Sequence, residues 1–532
     1  MSPAINNQDF PPLPSQETQK IPTRVKQTDL KKSQGNGSSA KTTLTDLPTE
    51  LILQIIGYLP TLDIKSFQLP TIKSLSQTNR RLHTIVIEHL YSEYNSFFGH
   101  PYLFLRTMIS NPEAGRNVKS LTLAYGHGVH EDRTQYKPLV RDRQEVKAGF
   151  KALDIPNWKA WATESNDPWI EQEMWYAGIL MHTPNITELD IDDGELRGYQ
   201  IPKWIELIKQ SVAGSSFGQV HHFSELKSMR IDIGTLRLAN LTPLFRLPAL
   251  KSLGLVGLVE TERVDSIRWP VPTRSSSIED LHLPDCFMGT QVLTLMMDSC
   301  RALRKFEYEH RDERWYYRQG RAFSYWFDVE NAAQQTDDMP SVDLDYRALS
   351  DALLRHADSL EAVLVFDDVE EDNHLHQTIG FLQGLRQLKK VEFLQGHLGA
   401  FLNVFQTDRA TLIDNLPPAL RAFDLTIKWN EDEPECLPAL EHMAANLRDH
   451  LPALTWFRIK SEAPKSALPY PWERLGNPLS KAGVNFAVEQ KIKDTDGFES
   501  EEWEDVSESD SVSEEESDLD NDDSSEDDDT NE

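Results

Sequence analysis

Ten times between Val118 and Ile459 the chain repeats one short pattern: an aliphatic residue, two variable positions, an apolar residue, one variable position, and a second apolar residue. The copies are Val118-Leu121-Leu123, Ile186-Leu189-Ile191, Leu226-Met229-Ile231, Leu250-Leu253-Leu255, Ile278-Leu281-Leu283, Leu303-Phe306-Tyr308, Leu360-Val363-Val365, Leu388-Val391-Phe393, Leu420-Phe423-Leu425 and Leu454-Phe457-Ile459. The closing apolar-variable-apolar part alternates as a strand with one buried face does. Segments between copies, such as QVLTLMMDSC and ALSDALLRHA, carry helical periodicity. One such unit cannot bury its apolar face alone, so the copies must stack on one another. The reading is an α/β solenoid over residues 97–493, with a final strand through Val484, Phe486 and Val488.

The intervals between copies are 68, 40, 24, 28, 25, 57, 28, 32 and 34 residues, so the first and the sixth hold insertions. The first contains PNWKAWATESNDPWIEQEMWY, aromatic and acidic, and is expected to pack onto the repeats. The second contains HRDERWYYRQGRAFSYWFD, in which arginines interleave with aromatic residues. Trp, Tyr and Arg dominate binding hot spots, so Arg314, Trp315, Tyr316, Arg318, Arg321, Tyr325 and Trp326 are candidate target-binding residues. A satellite apolar cluster under the insertion is the competing reading. Asp312, Glu313 and Asp328 break up any basic track, which argues against nucleic acid.

Charge separates the ends from the middle. The net charge is −31, and 21 acidic residues with no Lys or Arg lie in 494–532, leaving −10 for the rest. That tail self-repels and is expected to be disordered. Ser507, Ser511, Ser513, Ser517, Ser524 and Ser525 each have an acid three residues on, which makes them candidate phosphorylation sites. Residues 1–42 are rich in Pro, Gln, Asn, Ser and Lys and are read as a disordered arm. Three cysteines without a C-x-x-C spacing exclude a zinc ribbon or a disulfide framework. No secretory leader and no run of 18–20 apolar residues is present, so a soluble protein of the cytoplasm and/or nucleus is expected, with no membrane partner.

Between arm and repeats, residues 43–96 read as a small helical unit. In TDLPTELILQIIGYLP, Pro48 and Glu50 suit the first turn of a helix, and Leu51, Ile52, Ile55, Ile56 and Leu59 form a wide apolar stripe. TNRRLHTIVIEHLY places Leu82, Ile85, Val86 and Leu90 at helical spacing. Between them stand two near-copies of one phrase, LPTLDIKS and LPTIKS. Pro70 forbids one uninterrupted helix from Asp63 to Thr78. Either the first copy forms a helix and 67–74 loops out, or Thr71 caps a new helix through Ile72 and Leu75.

These residues resemble the F-box: Leu47, Pro48, Glu50, Leu51, Ile52, Ile55, Leu59, Pro60, Asp63, Ile64, Leu75, Asn79, Arg81 and Leu82 follow its pattern, with eight extra residues at 67–74. The spaced copies resemble the irregular leucine-rich repeats of fungal F-box proteins, several intervals lying near the 20–29 residues of that family. The usual Asn or Cys after the strand is mostly missing. The resemblance implies a substrate-recognition subunit of an SCF-type cullin ubiquitin ligase. Its F-box would dock the Skp adaptor, and its repeats would hold a target protein. Carried over, the adaptor-docking candidates are Leu47, Pro48, Leu51, Ile52, Ile55, Leu59 and Ile64. Some of these must instead fill the small core, and the sequence does not separate the two groups. Target candidates on the outward positions of the strands include Asp190, Asp192, Arg230, Asp232, Glu307, Glu309, Glu392, Asp424, Arg458 and Lys460. Seven of these ten are acidic, which leans toward a basic target. The alternative function is a non-ligase scaffold or chaperone-like binder of basic proteins that uses the acidic tail.

Catalytic signals are weak. GSSFG (214–218) has the form of a nucleophile elbow at Ser216, but a helical run precedes it where a strand is needed. Histidine pairs at 127/130, 221/222 and 374/376 lack a third ligand at metal spacing. The expectation is a non-catalytic protein without cofactor or metal.

Overall fold

The computed structural model describes residues 44–57, 68–97, 99–124, 137–166, 173–192, 201–213, 217–232, 236–260, 267, 269–311, 344–368, 378–402, 411–427, 437–461, 472–491 and 503–505. The chain divides into two compact units, 1–391 and 392–532. Both are mixed α/β.

In the first unit the strands are β1 (Glu93–Asn95), β2 (Ser120–Ala124), β3 (Glu188–Asp192), β4 (Ser228–Asp232), β5 (Ser252–Val256), β6 (Val259–Glu260), β7 (Asp280–Met288), β8 (Lys305–Arg311), β9 (Leu344–Asp345), β10 (Ala362–Asp368) and β11 (Thr378–Ile379). They lie side by side in the order β1-β2-β3-β4-β5-β7-β8-β10, and every neighbouring pair is parallel. The short β6 pairs with β7, and β9 pairs with β11 apart from the main sheet. Parallel neighbours require a return connection between strands, and helices such as Lys203–Val212, Thr290–Ser299 and Tyr346–Leu354 supply it. In the second unit β12 (Phe393–His397), β13 (Ala422–Ile427), β14 (Trp456–Ser461) and β15 (Asn485–Lys491) are parallel in that order. β16 (Trp503–Asp505) closes it antiparallel to β15.

Register converts the sequence pattern into continuous core rows. Tyr94, Leu121, Leu189, Met229, Leu253, Leu281, Phe306 and Val363 stand next to one another across the first sheet, each the partner of the next. All are buried. Burying one such side chain contributes about 1.5–3 kcal/mol, so the rows dominate the stability of the sheet. A backbone device recurs at the residue after most motif starts. Its carbonyl accepts two N–H groups from the next copy, as Lys119 O does from Thr187 (2.8 Å) and Glu188 (3.0 Å), and Lys227 O from Lys251 (2.8 Å) and Ser252 (3.0 Å). Side chains at that same position form a surface charge ladder: Lys251–Glu279 at 2.6 Å, Glu279–Arg304 at 3.9 Å and Arg304–Glu361 at 2.7 Å. The Arg304 hydrogen bond holds the Glu361 carboxyl below its ordinary range.

One copy was framed wrongly by the sequence pattern. Leu394 and Gly396, not Val391 and Phe393, pair with Phe423 and Leu425 of the next strand. The copy therefore reads Val391-Leu394-Gly396. Of the thirty apolar motif positions named from sequence, Phe393 alone is not buried, and its neighbour Leu394 is fully buried. Glycine at the third core position concealed the true frame. Glu392 accordingly precedes the strand, its carbonyl accepting Arg421 and Ala422 N–H, and is no outward strand residue.

The pattern also missed β1, because its core positions are Tyr91, Tyr94 and Ser96 in place of aliphatics. Tyr94 stacks on Phe104 with ring centroids 3.9 Å apart and donates its hydroxyl to Gly99 O at 3.0 Å. Ser96 Oγ accepts the Ala124 N–H at 2.8 Å, ending the β2 ladder with a side chain.

The first insertion is helical and packs as expected. Val140–Ala152, Trp158–Ser165 and Glu173–Met181 are its helices. Trp175 donates its indole N–H to Ser165 O at 2.9 Å, and Tyr176 its hydroxyl to Ala124 O at 2.5 Å, tying the insertion to the end of β2. At Gly149 a Cβ would lie 2.5 Å from the Ile109 side chain, so only glycine lets this helix approach α4 (Pro101–Ser110) so closely. The final strand expected at Phe486 and Val488 is present as β15. The expectation of an unstructured tail does not hold at Trp503–Asp505, where β16 uses backbone groups that the edge of β15 offers.

Candidate docking surfaces

The helical unit is α1 (Thr49–Gly57), α2 (Gln68–Thr78) and α3 (Arg80–Leu90). Its core is Ile52, Ile56, Ile72, Leu82 and Val86, with Leu47, Leu75, Ile85 and Leu90 packed at its margin. Asn79 caps α3 by accepting the Leu82 N–H at 2.9 Å. The Arg81 guanidinium donates to Leu47 O at 2.6 Å, so α3 holds the turn that starts α1.

This packing separates the two groups the sequence left mixed. Ile52 is 1% exposed and belongs to the core. Leu47 is half-buried against that core. Leu51 and Ile55 are 44% and 43% exposed, and Pro48 is exposed beside them. Leu53, which the sequence reading did not single out, is 43% exposed and lines a groove with Ile85, His89, Arg116 and Lys119. Helical spacing alone made residues 51, 52, 55, 56 and 59 one stripe. Only the positions of α2 and α3 decide which part is covered. Leu59 and Ile64 lie outside the described residues.

The duplicated phrase resolves in favour of its second copy. α2 starts at Gln68 and contains Pro70 in its first turn, where a missing N–H interrupts no intrahelical bond. Ile72 enters the core. Of the two alternatives, looping out of 67–74 does not hold for 68–74; the second copy forms a helix through Ile72 and Leu75, as the other alternative has it, but Thr71 is an exposed residue within that helix and does not cap it. Phe67 and the first copy from Leu59 to Ser66 lie outside the described residues.

On the strand face the charges answer one another. Asp190 pairs with Arg230 at 3.3 Å, and Glu307 faces His282 at 2.8 Å. Arg311 bridges Glu309 (2.6 Å) and Asp285 (3.1 Å). Partial burial raises the Glu309 carboxyl, opposed by the Arg311 charge. Asp192 and the buried Asp232 stand side by side in register. In the second unit Arg458 binds Asp424 and also Glu489 at 3.3 Å, and Lys460 reaches Glu489 at 3.6 Å. The acidic excess counted from sequence is thus partly neutralised within the face. The sequence could not show this, because the pairings cross between strands tens of residues apart.

A helix, Lys203–Val212, does precede the GSSFG loop. Gly218 sits at φ +60°, where its Cβ would meet Leu153 O at 2.2 Å, a packing reason for that glycine. Ser216 lies outside the described residues. His221 Nε2 donates to Leu180 O (2.6 Å), and burial pushes His182 down to about 4, with the His221 charge adding to the effect. Cys286 and Cys300 are buried thiols raised by desolvation. Among the described residues no group of three His, Cys, Asp or Glu could hold a metal, and no helix is long and apolar enough to cross a membrane. Arg314, Trp315, Tyr316, Arg318, Arg321, Tyr325 and Trp326 lie outside the described residues, as do Ser507, Ser511, Ser513, Ser517, Ser524 and Ser525. No protein-family model matches the chain, and no curated protein matches its sequence.

Proposed function

We propose that this chain is the substrate-recognition subunit of an SCF-type cullin ubiquitin ligase. In this reading residues 43–96 are an F-box, the repeated strands and helices are an irregular leucine-rich-repeat solenoid, and neither performs bond chemistry. Pro48, Leu51 and Ile55 dock the Skp adaptor. The strand face, with the aromatic and arginine-rich stretch 310–328 of the second insertion, holds a target protein. The mechanism is proximity: a lysine-bearing target held beside the charged conjugating enzyme reacts at a raised effective concentration.

The observation that carries the reading is the division of α1. Ile52 and Ile56 anchor it, while Leu51 and Ile55 remain exposed on a helix whose start is fixed by Arg81. Large exposed aliphatics on an anchored helix suit a partner surface. The test is retrieval of the Skp adaptor and cullin by the full chain, compared with Leu51→Glu/Ile55→Glu. Wild type is expected to retrieve both, and the double substitution neither. Equal retrieval by the two chains, or none by wild type where other F-box proteins succeed, refutes the reading.

A further inference from the structure

The docking edge proposed above lies at the start of α1, and that start is held from a distance. Thr49–Gly57 begins directly after Pro48, which has no N–H to give to the turn before it. The helical ladder opens with the Ile52 N–H on Pro48 O at 3.2 Å. One residue earlier, the Leu47 carbonyl accepts a guanidinium N–H of Arg81 at 2.6 Å. Arg81 stands 34 positions further on, in the first turn of α3. That turn is itself fixed: Asn79 Oδ1 accepts the Leu82 N–H at 2.9 Å, and the Leu82 side chain is in the core. The donor therefore rises from a rigid base.

Pro48 and Leu51 lie between two fixed points. At one end the Leu47 carbonyl is bound by Arg81, and its side chain packs at the margin of the core. At the other end Ile52 is buried. Pro48, Thr49, Glu50 and Leu51 between them are all exposed, so burial of their own side chains does not set their position. A hydrogen bond from a charged donor is the stronger kind, and the planar guanidinium keeps its charge at any working pH.

We infer that Arg81 is a positioning residue for adaptor docking. Its guanidinium, held on Leu47 O, sets the turn that places Pro48 and Leu51 on the outer edge of α1. It acts through that turn, with no contact of its own to the adaptor. The inference rests on the ligase reading above.

The test measures two quantities on the full chain. One is affinity for the purified Skp adaptor by calorimetry. The other is amide exchange of the free chain at Ile52 in α1 and at Val86 in α3. Arg81→Met removes the donors and keeps a long stem. It is expected to weaken adaptor binding about tenfold, ~1.4 kcal/mol. It should also speed exchange at Ile52 about tenfold while Val86 changes less than about twofold. Arg81→Lys, which retains charge and an N–H donor, should fall between wild type and Arg81→Met in both. Equal acceleration at Ile52 and Val86 would assign Arg81 to general stability and overturn the inference. Weaker binding with unchanged Ile52 exchange would make Arg81 a direct contact and overturn it too, as would faster exchange with unchanged binding. If Arg81→Met unfolds the helical unit, seen as complete loss of protection at Val86, Arg81→Lys carries the test. Its binding and its Ile52 exchange must then shift together, and a shift in one alone, or in neither, refutes the role. A wild type that binds no adaptor refutes the ligase reading and this role with it. A wild type that binds, matched by Arg81→Met, refutes the role of Arg81 alone.

Discussion

Ile52 and Ile55 offer a controlled comparison, because they are the same residue type three positions apart on one short helix. Truncating Ile52 to Ala removes a side chain that is 1% exposed and that touches the core made by Ile72, Leu82 and Val86. Loss of such a buried aliphatic costs about 2–5 kcal/mol, transfer and cavity terms together. Ile55 is 43% exposed, so its truncation forfeits roughly half of a full burial of about 1.5–3 kcal/mol. The better helix propensity of Ala returns a few tenths, leaving about 1 kcal/mol or less. Hydrogen exchange of the amides in α1 and α3 reads the difference as opening free energy. Ile52→Ala should speed exchange roughly 30-fold to several thousand-fold, and Ile55→Ala less than about tenfold. Adaptor retrieval should rank them the other way once corrected for the folded fraction. Equal exchange in the two variants would mean that the division of α1 into core and surface is wrong, and the docking proposal would lose its basis.

The remaining predictions concern the duplicated phrase, the repeat frame and pH. Ile72→Ala should destabilise the helical unit by about 2–4 kcal/mol in the same exchange assay, since the second copy supplies the core residue. Leu394→Ala should lower the stability of the second unit by about 3 kcal/mol in denaturant titration, while Gln395→Ala, on the outward face, should change it by less than about 0.5 kcal/mol. For His182 the sign follows from its depressed value. Above pH about 6.5 it is neutral folded or unfolded and costs nothing; below that the unfolded chain binds the proton first, so stability falls until the folded group titrates at about 4. The loss amounts to about 3 kcal/mol over that window, and His182→Leu should flatten that part of the pH–stability curve in urea titrations.

Much of this protein was legible in one dimension. The spacing of apolar residues announced strands with intervening helices, because burial on one face of a strand imposes a two-residue period that composition cannot imitate. Nine of the ten copies paired in the frame their Leu, Ile, Val and Phe predicted. The failures came where other chemistry filled a core position: Gly396 in β12, Tyr94 in β1 and Ser96 just after it, all buried yet none of them aliphatic. In α2, Pro70 marked a break correctly, but a proline is as comfortable in a first helical turn as in a loop, and the burial of Ile72 made the choice.

By itself, then, the sequence determined the order of strands, the helical unit ahead of them and the charge of each end, since these depend on local period and composition. Tertiary structure alone decided which α1 aliphatics are covered, which strand charges are neutralised and how far β16 closes the last edge. Those are properties of pairs of residues, and a pair distant along the chain leaves no periodic mark in either member.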